Sequence, residues 1–263
     1  MTPDQANRIY QWLDAPDSSG NWFIEGADYI RWKETPDSAL WVYGTPGCGK
    51  TVICSTIIEK IREECAAEPT FACAYFFFDN RNEQTELSLH EKFIRSIVRQ
   101  LSHQSTGFPT PLVELYDGGQ QQASLASLQL ILQTIASGFE RTYIIVDALD
   151  ECIDRERVMA WIAQLMQCKA GNMHVLVSSR REMDIEDQFD AIPGLARTPL
   201  TGARANADIK VFLDAMLSKM TKWDTQTIAR VKEALIAGAD GMCVSIPPRC
   251  HFQLTEYSPG FDG

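Results

Sequence analysis

Apolar residues along this chain follow two alternating rhythms. Short uninterrupted runs, ALWVYG (39–44), FACAYFFFDN (71–80), TYIIVDALDE (142–151) and MHVLVSSR (173–180), read as buried strands, and LARTPL (195–200) as a fifth. Between them TVICSTIIEKIREEC (51–65), LSLHEKFIRSIVRQL (87–101), SLASLQLILQTIASGF (124–139) and RVMAWIAQLMQC (157–168) repeat their apolar residues at helical spacing. The two middle helices are separated by a loop holding Gly107, Pro109, Pro111, Gly118 and Gly119. Strands that are apolar throughout and alternate with helices predict an α/β fold. In such a fold a parallel sheet is covered on both faces, and ligands sit at the carboxyl ends of the strands.

The pattern also divides the chain. Residues 1–38 mix Trp12, Trp22 and Trp32 with Pro, Asp, Ser and Gly, and predict a turn-rich linker anchored on the core at a few apolar points. Residues 39–203 form the core. Residues 204–242 hold two helical patterns over 205–238 and no strand, the mark of a partial small helical subdomain. Residues 243–263 contain adjacent prolines and no helical period, an atypical tail.

Composition narrows the partners. The 35 acidic against 24 basic residues give a formal charge of −11, which argues against nucleic acid and anionic membranes. No run approaches the roughly 20 apolar residues of a membrane span, and the N-terminus lacks a signal-peptide pattern, so a cytoplasmic location is expected. The eight cysteines show neither C-x-x-C pairs nor zinc-ligand spacing with histidine, which predicts buried, reduced thiols.

GTPGCGKT (44–51) fits the pattern G-x-x-x-x-G-K-[ST] in full and lies between a predicted strand and a predicted helix, the context that pattern needs. Gly44, Thr45, Pro46, Gly47, Cys48 and Gly49 would turn successive backbone N–H groups toward phosphates, helped by the positive end of the following helix. Lys50 would reach the β- and γ-phosphates and Thr51 would ligate Mg²⁺. Asp147, the first acid of YIIVD, stands where a carboxylate holds that magnesium through water. Asp150 and Glu151 follow within one turn, close enough to polarise an attacking water. Arg180 ends the next strand beside Ser178 and Ser179, where a guanidinium would sense the γ-phosphate; Arg181 is its equally basic neighbour. Asp79 ends a strand on the same edge. The ligand these residues predict is Mg-ATP or Mg-GTP, with Trp22 to Ile24 a candidate contact for the base.

GTPGCGKT, FFFD, YIIVDALDE and VLVSSR, in that order, together resemble a NACHT domain, of the AAA-like signal-transduction NTPases, and in particular the fungal NOD-like receptors with C-terminal repeats. The lead-in with WL, NWF and SALWVYG, and NADIKVFL (206–213), resemble that family too, so the likeness covers about residues 8–242. It implies a P-loop NTPase of three α/β/α layers with strand order 5-1-4-3-2, ATP or ADP as ligand, a nucleotide-gated switch, and self-association when ATP is bound. Carried over, Lys50 and Thr51 are Walker A, Asp147 with Asp150 and Glu151 the extended Walker B, and Arg180 sensor 1.

The resemblance stops after GADGM (238–242), where the family continues with an amphipathic helix beginning FRWA, a winged-helix part and repeats. The final Pro-Gly-Phe-Asp-Gly can be encoded CCAGGTTTCGATGGG, and GTTTCGATGG joined to an AT from Met242 reads Met-Phe-Arg-Trp. An intron beginning GTGTGT and ending CAG would restore the family pattern. The last 21 residues are therefore expected to be a translated intron in a truncated receptor, which transcript sequencing tests. Two other classes compete with the switch. A small-molecule kinase would need an arginine-rich lid, whereas the segment after the fourth strand, REMDIEDQFD, is acidic; a passive nucleotide holder would not need Asp150 and Glu151.

Overall fold

The computed structural model describes residues 20–79, 88–116, 123–168, 171–200, 217, 224 and 226–232. Five strands, β1 Ser38–Tyr43, β2 Phe71–Phe77, β3 Arg141–Asp147, β4 Met173–Ser179 and β5 Ala196–Pro199, form one sheet in the order β2-β3-β4-β1-β5. Every pairing is parallel, so all carboxyl ends share one edge. This is the order 5-1-4-3-2 that the family resemblance implied.

Period-two alternation explains why the strands read as apolar throughout. Trp41, Ile144, Val146, Val175 and Val177 enter the core on one face, while Leu40, Val42, Tyr143, Ile145 and Leu176 enter the core on the other. The first face is covered by α4 Leu89–Gln104, α6 Leu125–Ala136, α7 Arg155–Gln167 and α8 Met183–Asp190. Helix α4 buries Phe93, Ile94, Ile97, Val98 and Leu101 along one stripe, and Ser88 caps it by accepting from the Glu91 N–H at 3.2 Å. The second face is covered by α1 Asn21–Ile24, α2 Ala27–Glu34 and α3 Lys50–Ala67.

Three segments carry more structure than their local pattern predicts. The lead-in, read as a turn-rich linker, folds from Asn21 into α1 and α2, which bury Phe23, Tyr29 and Trp32 against the sheet. The glycine- and proline-bearing loop between α4 and α6 contains α5 Thr110–Tyr116, since prolines at a helix start give up N–H groups that have no helical partner. The acidic REMDIEDQFD segment is helical over α8 because Ile185 and Phe189, four residues apart, bury the same face. Residues 1–19 with Trp12, most of 204–242, and 243–263 lie outside the described residues. Of the predicted helical subdomain, residues 226–232 are described and helical. Among the described residues no helix is long and apolar enough to cross a membrane.

Candidate functional site

The site stands on the carboxyl edge of the sheet, where β1, β3 and β4 end side by side. After Tyr43 the chain leaves the sheet at Gly44, whose N–H donates to the Ser179 carbonyl at 3.3 Å. A side chain is excluded at Gly44: a Cβ there would lie 2.6 Å from Cys48 Sγ and 3.0 Å from the Leu200 carbonyl. Gly47 and Gly49 adopt φ of 76° and 91°, the left-handed region that only glycine enters at little cost, and these two residues set the curl of the loop. Gly49 is also the N-cap of α3, so the loop runs directly into the positive end of an 18-residue helix.

Lys50 folds back over this loop, with Nζ donating to the carbonyls of Gly44 at 3.0 Å and Thr45 at 2.9 Å and lying 3.7 Å from Cys48 Sγ. Its charge is thereby held above the backbone cradle. Thr51, one residue on, donates its hydroxyl to Asp147 Oδ2 at 2.8 Å and so ties the start of α3 to the end of β3. Asp147 is buried, 1% exposed, and its other oxygen, Oδ1, accepts a short hydrogen bond from the Ser178 hydroxyl on β4. The Ser178 hydroxyl in turn accepts from the Ala148 N–H at 3.1 Å. Behind the carboxylate lies Cys54, fully buried, whose thiol is pushed well above its ordinary pKa by burial first and by the Asp147 charge second.

Ala148 has φ of 56°, a left-handed turn that sends the chain from β3 into a 3₁₀ helix, Leu149–Glu151. The turn brings Asp150 to Arg180. One carboxylate oxygen accepts from the Arg180 N–H at 2.9 Å and the other pairs with its Nε at 3.0 Å. Glu151, on the same turn, is half-buried. Arg181 points elsewhere, pairing with Glu186 of α8 at 2.7 Å over the Tyr43 ring, and so of the two adjacent arginines only Arg180 joins this cluster. Asp79 follows Phe78, whose N–H donates to the Asp147 carbonyl at 3.0 Å, and it too stands on this edge.

The fold thus gathers Gly44 to Thr51, Asp147, Asp150, Glu151 and Arg180 from three strand ends that are up to 136 residues apart in sequence. A hydroxyl and a buried carboxylate are hard oxygen donors, the type a magnesium ion uses when phosphates and water supply most of its shell, so the residues present fit that ion. Among the described residues no cluster of three or more His, Cys, Asp or Glu could hold a metal alone. Trp22 to Ile24 lie on α1, whose preceding Gly20 sits so close to Thr56 of α3 that a Cβ there would be 2.9 Å from its hydroxyl. Ser178, Cys54 and Leu200 are the participants that sequence reasoning did not assign. A buried serine in an apolar strand, as in VLVSSR, was the one signal available.

The chain is similar to several known proteins. The chain is 25% identical over 234 residues to the vegetative incompatibility protein HET-E-1 of Podospora anserina; the match takes in 84% of the chain and 17% of that relative's length. This agrees with the likeness to fungal NACHT proteins. Among solved structures, domain III of the Thermotoga maritima replication initiation protein DnaA matches with a TM-score of 0.48 and 16% identity, over 99% of this chain and 93% of that one. The Aeropyrum pernix ORC1 protein in complex with DNA matches at 0.48 and 12%, over 83% of this chain and 50% of that one. Residues 18–180 match the family model described as Nephrocystin 3, N-terminal. With that model covering more than half of its length, the chain belongs to the Nephrocystin 3 N-terminal family, and it is a P-loop nucleotide-binding module.

Proposed function

We propose that this chain binds Mg-ATP on the GTPGCGKT loop and hydrolyses it slowly, as the switch module of a signalling protein of the NOD-like-receptor type. The observation that carries this reading is the 2.8 Å hydrogen bond from Thr51 to Asp147, because it aligns the two oxygen donors that a phosphate-bound magnesium needs. When bound, the magnesium neutralises phosphate charge. The chain's own residues do the rest. Lys50 trades its bonds to the Gly44 and Thr45 carbonyls for β- and γ-phosphate oxygens, the backbone N–H groups at the end of the loop and the start of α3 cradle the phosphates, and Glu151 orients the attacking water.

Asp150 takes a different part from the one its neighbour plays. Both its oxygens are occupied by Arg180, so it acts as the latch that aims the guanidinium toward the γ-phosphate side rather than as a base. The resemblance implies ATP rather than GTP, and self-association when ATP is bound is part of the same proposal; the chain spans 17% of the length of the curated relative. The charge of −11 argues against a nucleic acid as ligand.

Titration of ATP with and without magnesium, followed by turnover measured with candidate acceptors present, tests the proposal. Wild type should bind Mg-ATP and release phosphate to water slowly, and Lys50→Ala should lose binding, since it removes the one point charge over a cradle of backbone dipoles. Micromolar ATP binding by Lys50→Ala would sink the loop assignment. Transfer of phosphate to an added acceptor would favour a kinase instead.

A further inference from the structure

The ladder between β3 and β4 ends at Val146 opposite Val177. Beyond that pair the two strands are joined by side chains. Ser178 Oγ donates to Asp147 Oδ1 and accepts from the Ala148 N–H at 3.1 Å, while Thr51 holds Asp147 Oδ2 at 2.8 Å from the opposite side. The carboxylate is therefore gripped by one hydroxyl on each oxygen, and neither hydroxyl lies near it in sequence.

Ser178 is completely buried, as is Cys54, which lies one helical turn after Thr51 and against the same carboxylate. Water has no access to take over a lost contact at Oδ1. The position demands a group that both donates and accepts within the space of one atom, and a hydroxyl on a single carbon is the smallest that does so. Alanine or valine would take away the hydroxyl that serves both Asp147 Oδ1 and the Ala148 N–H, leaving the weakly donating Cys54 thiol beside the carboxylate.

We propose that Ser178 is a positioning residue for the nucleotide-bound metal, acting through Asp147: by occupying Oδ1 it leaves Oδ2 as the one carboxylate oxygen turned toward Thr51. The same hydroxyl holds the Ala148 turn, which carries Asp150 to Arg180, so the metal side and the Arg180 side of the site share one anchor. The inference rests on the Mg-nucleotide reading above, and its test separates the two.

The readout is the ratio of ATP affinity in magnesium to ATP affinity in a metal chelator, measured on the full chain. Ser178→Ala should lower that ratio about 10-fold, the scale of one unmade buried hydrogen bond to a charged group, with the chelator value little changed. Ser178→Cys, close in size but a weak donor, should fall between Ser178→Ala and wild type, and it decides the matter if the alanine variant does not fold. In an Asp147→Asn background, Ser178→Ala should add little, because the two act on one interaction. A wild-type ratio in Ser178→Ala, an equal loss with and without magnesium, or an unchanged loss in the Asp147→Asn background overturns the positioning role while leaving the nucleotide site standing. Failure of the wild-type chain to bind ATP removes both.

Discussion

The carboxylate of Asp150, 6% exposed, accepts from the backbone N–H of Arg180 and pairs with its guanidinium, while Glu151 follows it on the same 3₁₀ turn. In the proposed function these two adjacent acids, which look equivalent in the sequence, take different parts, Asp150 holding Arg180 and Glu151 orienting the water. Glu151→Gln should lower turnover by on the order of 10²–10⁴-fold while ATP stays bound, since the cradle and metal donors are untouched. Asp150→Asn keeps one acceptor oxygen but gives up the charge that holds Arg180, so its effect should be smaller and match that of Arg180→Ala. Single-turnover hydrolysis beside equilibrium binding measures both. Equal loss from the two acid substitutions would return Asp150 to the chemistry.

Among the elements, the lead-in helices depend most on distant partners. Trp32 of α2 is 2% exposed, donates its indole N–H to the Val175 carbonyl at 3.0 Å, and packs on Tyr29 and Tyr143. Ser38 at the start of β1 bonds to both the Trp32 carbonyl and His174 Nδ1, the latter at 2.9 Å, so α2, β1 and β4 meet at one buried point. Removing so large a buried side chain leaves a cavity, and Trp32→Ala should cost about 3–5 kcal/mol of stability. Trp32→Phe should cost about 1–3 kcal/mol, because most of the packing is kept and the hydrogen bond is lost. Denaturant titration distinguishes these. A near-neutral Trp32→Ala would mean that the lead-in contributes nothing to the fold. The local pattern showed the tryptophan but not its destination, since its partner carbonyl lies 143 residues away.

Across the whole molecule, two buried histidines make stability depend on pH. Burial lowers the pKa of His90, near Asp154, Arg157 and Glu91, and among the described residues neither of its ring nitrogens has a hydrogen-bond partner. His174, near Arg141 and Asp37, is lowered chiefly by burial as well. Above about pH 6.5 both rings are neutral in folded and unfolded chains and add no pH dependence. As pH falls below that value the unfolded chain takes up protons that the folded chain refuses, and stability declines until the lowered folded values are reached. The slope can approach about 1.4 kcal/mol per pH unit for each histidine. Thermal unfolding between pH 7 and pH 5 should therefore show a falling Tm, with a shallower fall in His90→Phe. Identical profiles for wild type and that variant would clear His90 of any part in it.

The parts whose cause is local can be read from the order of residues alone. Five strand runs, the helices α3, α4, α6 and α7, and the loop GTPGCGKT between β1 and α3 are specified by residues within a few positions of one another, through period-two or helical burial and the left-handed turns of Gly47 and Gly49. It also put Asp147 at a strand end, because an apolar run that stops at an acid marks the edge of the sheet. It takes the packed molecule to show that Ser178 and Thr51 hold the two oxygens of that carboxylate, that Asp150 grips Arg180 while Arg181 turns to α8, and that the lead-in folds onto β4. Each of these is a directional contact across tens of residues or a choice between neighbours of like chemistry. Hydrophobic periodicity records which face of an element is buried, but not which buried polar atom meets which.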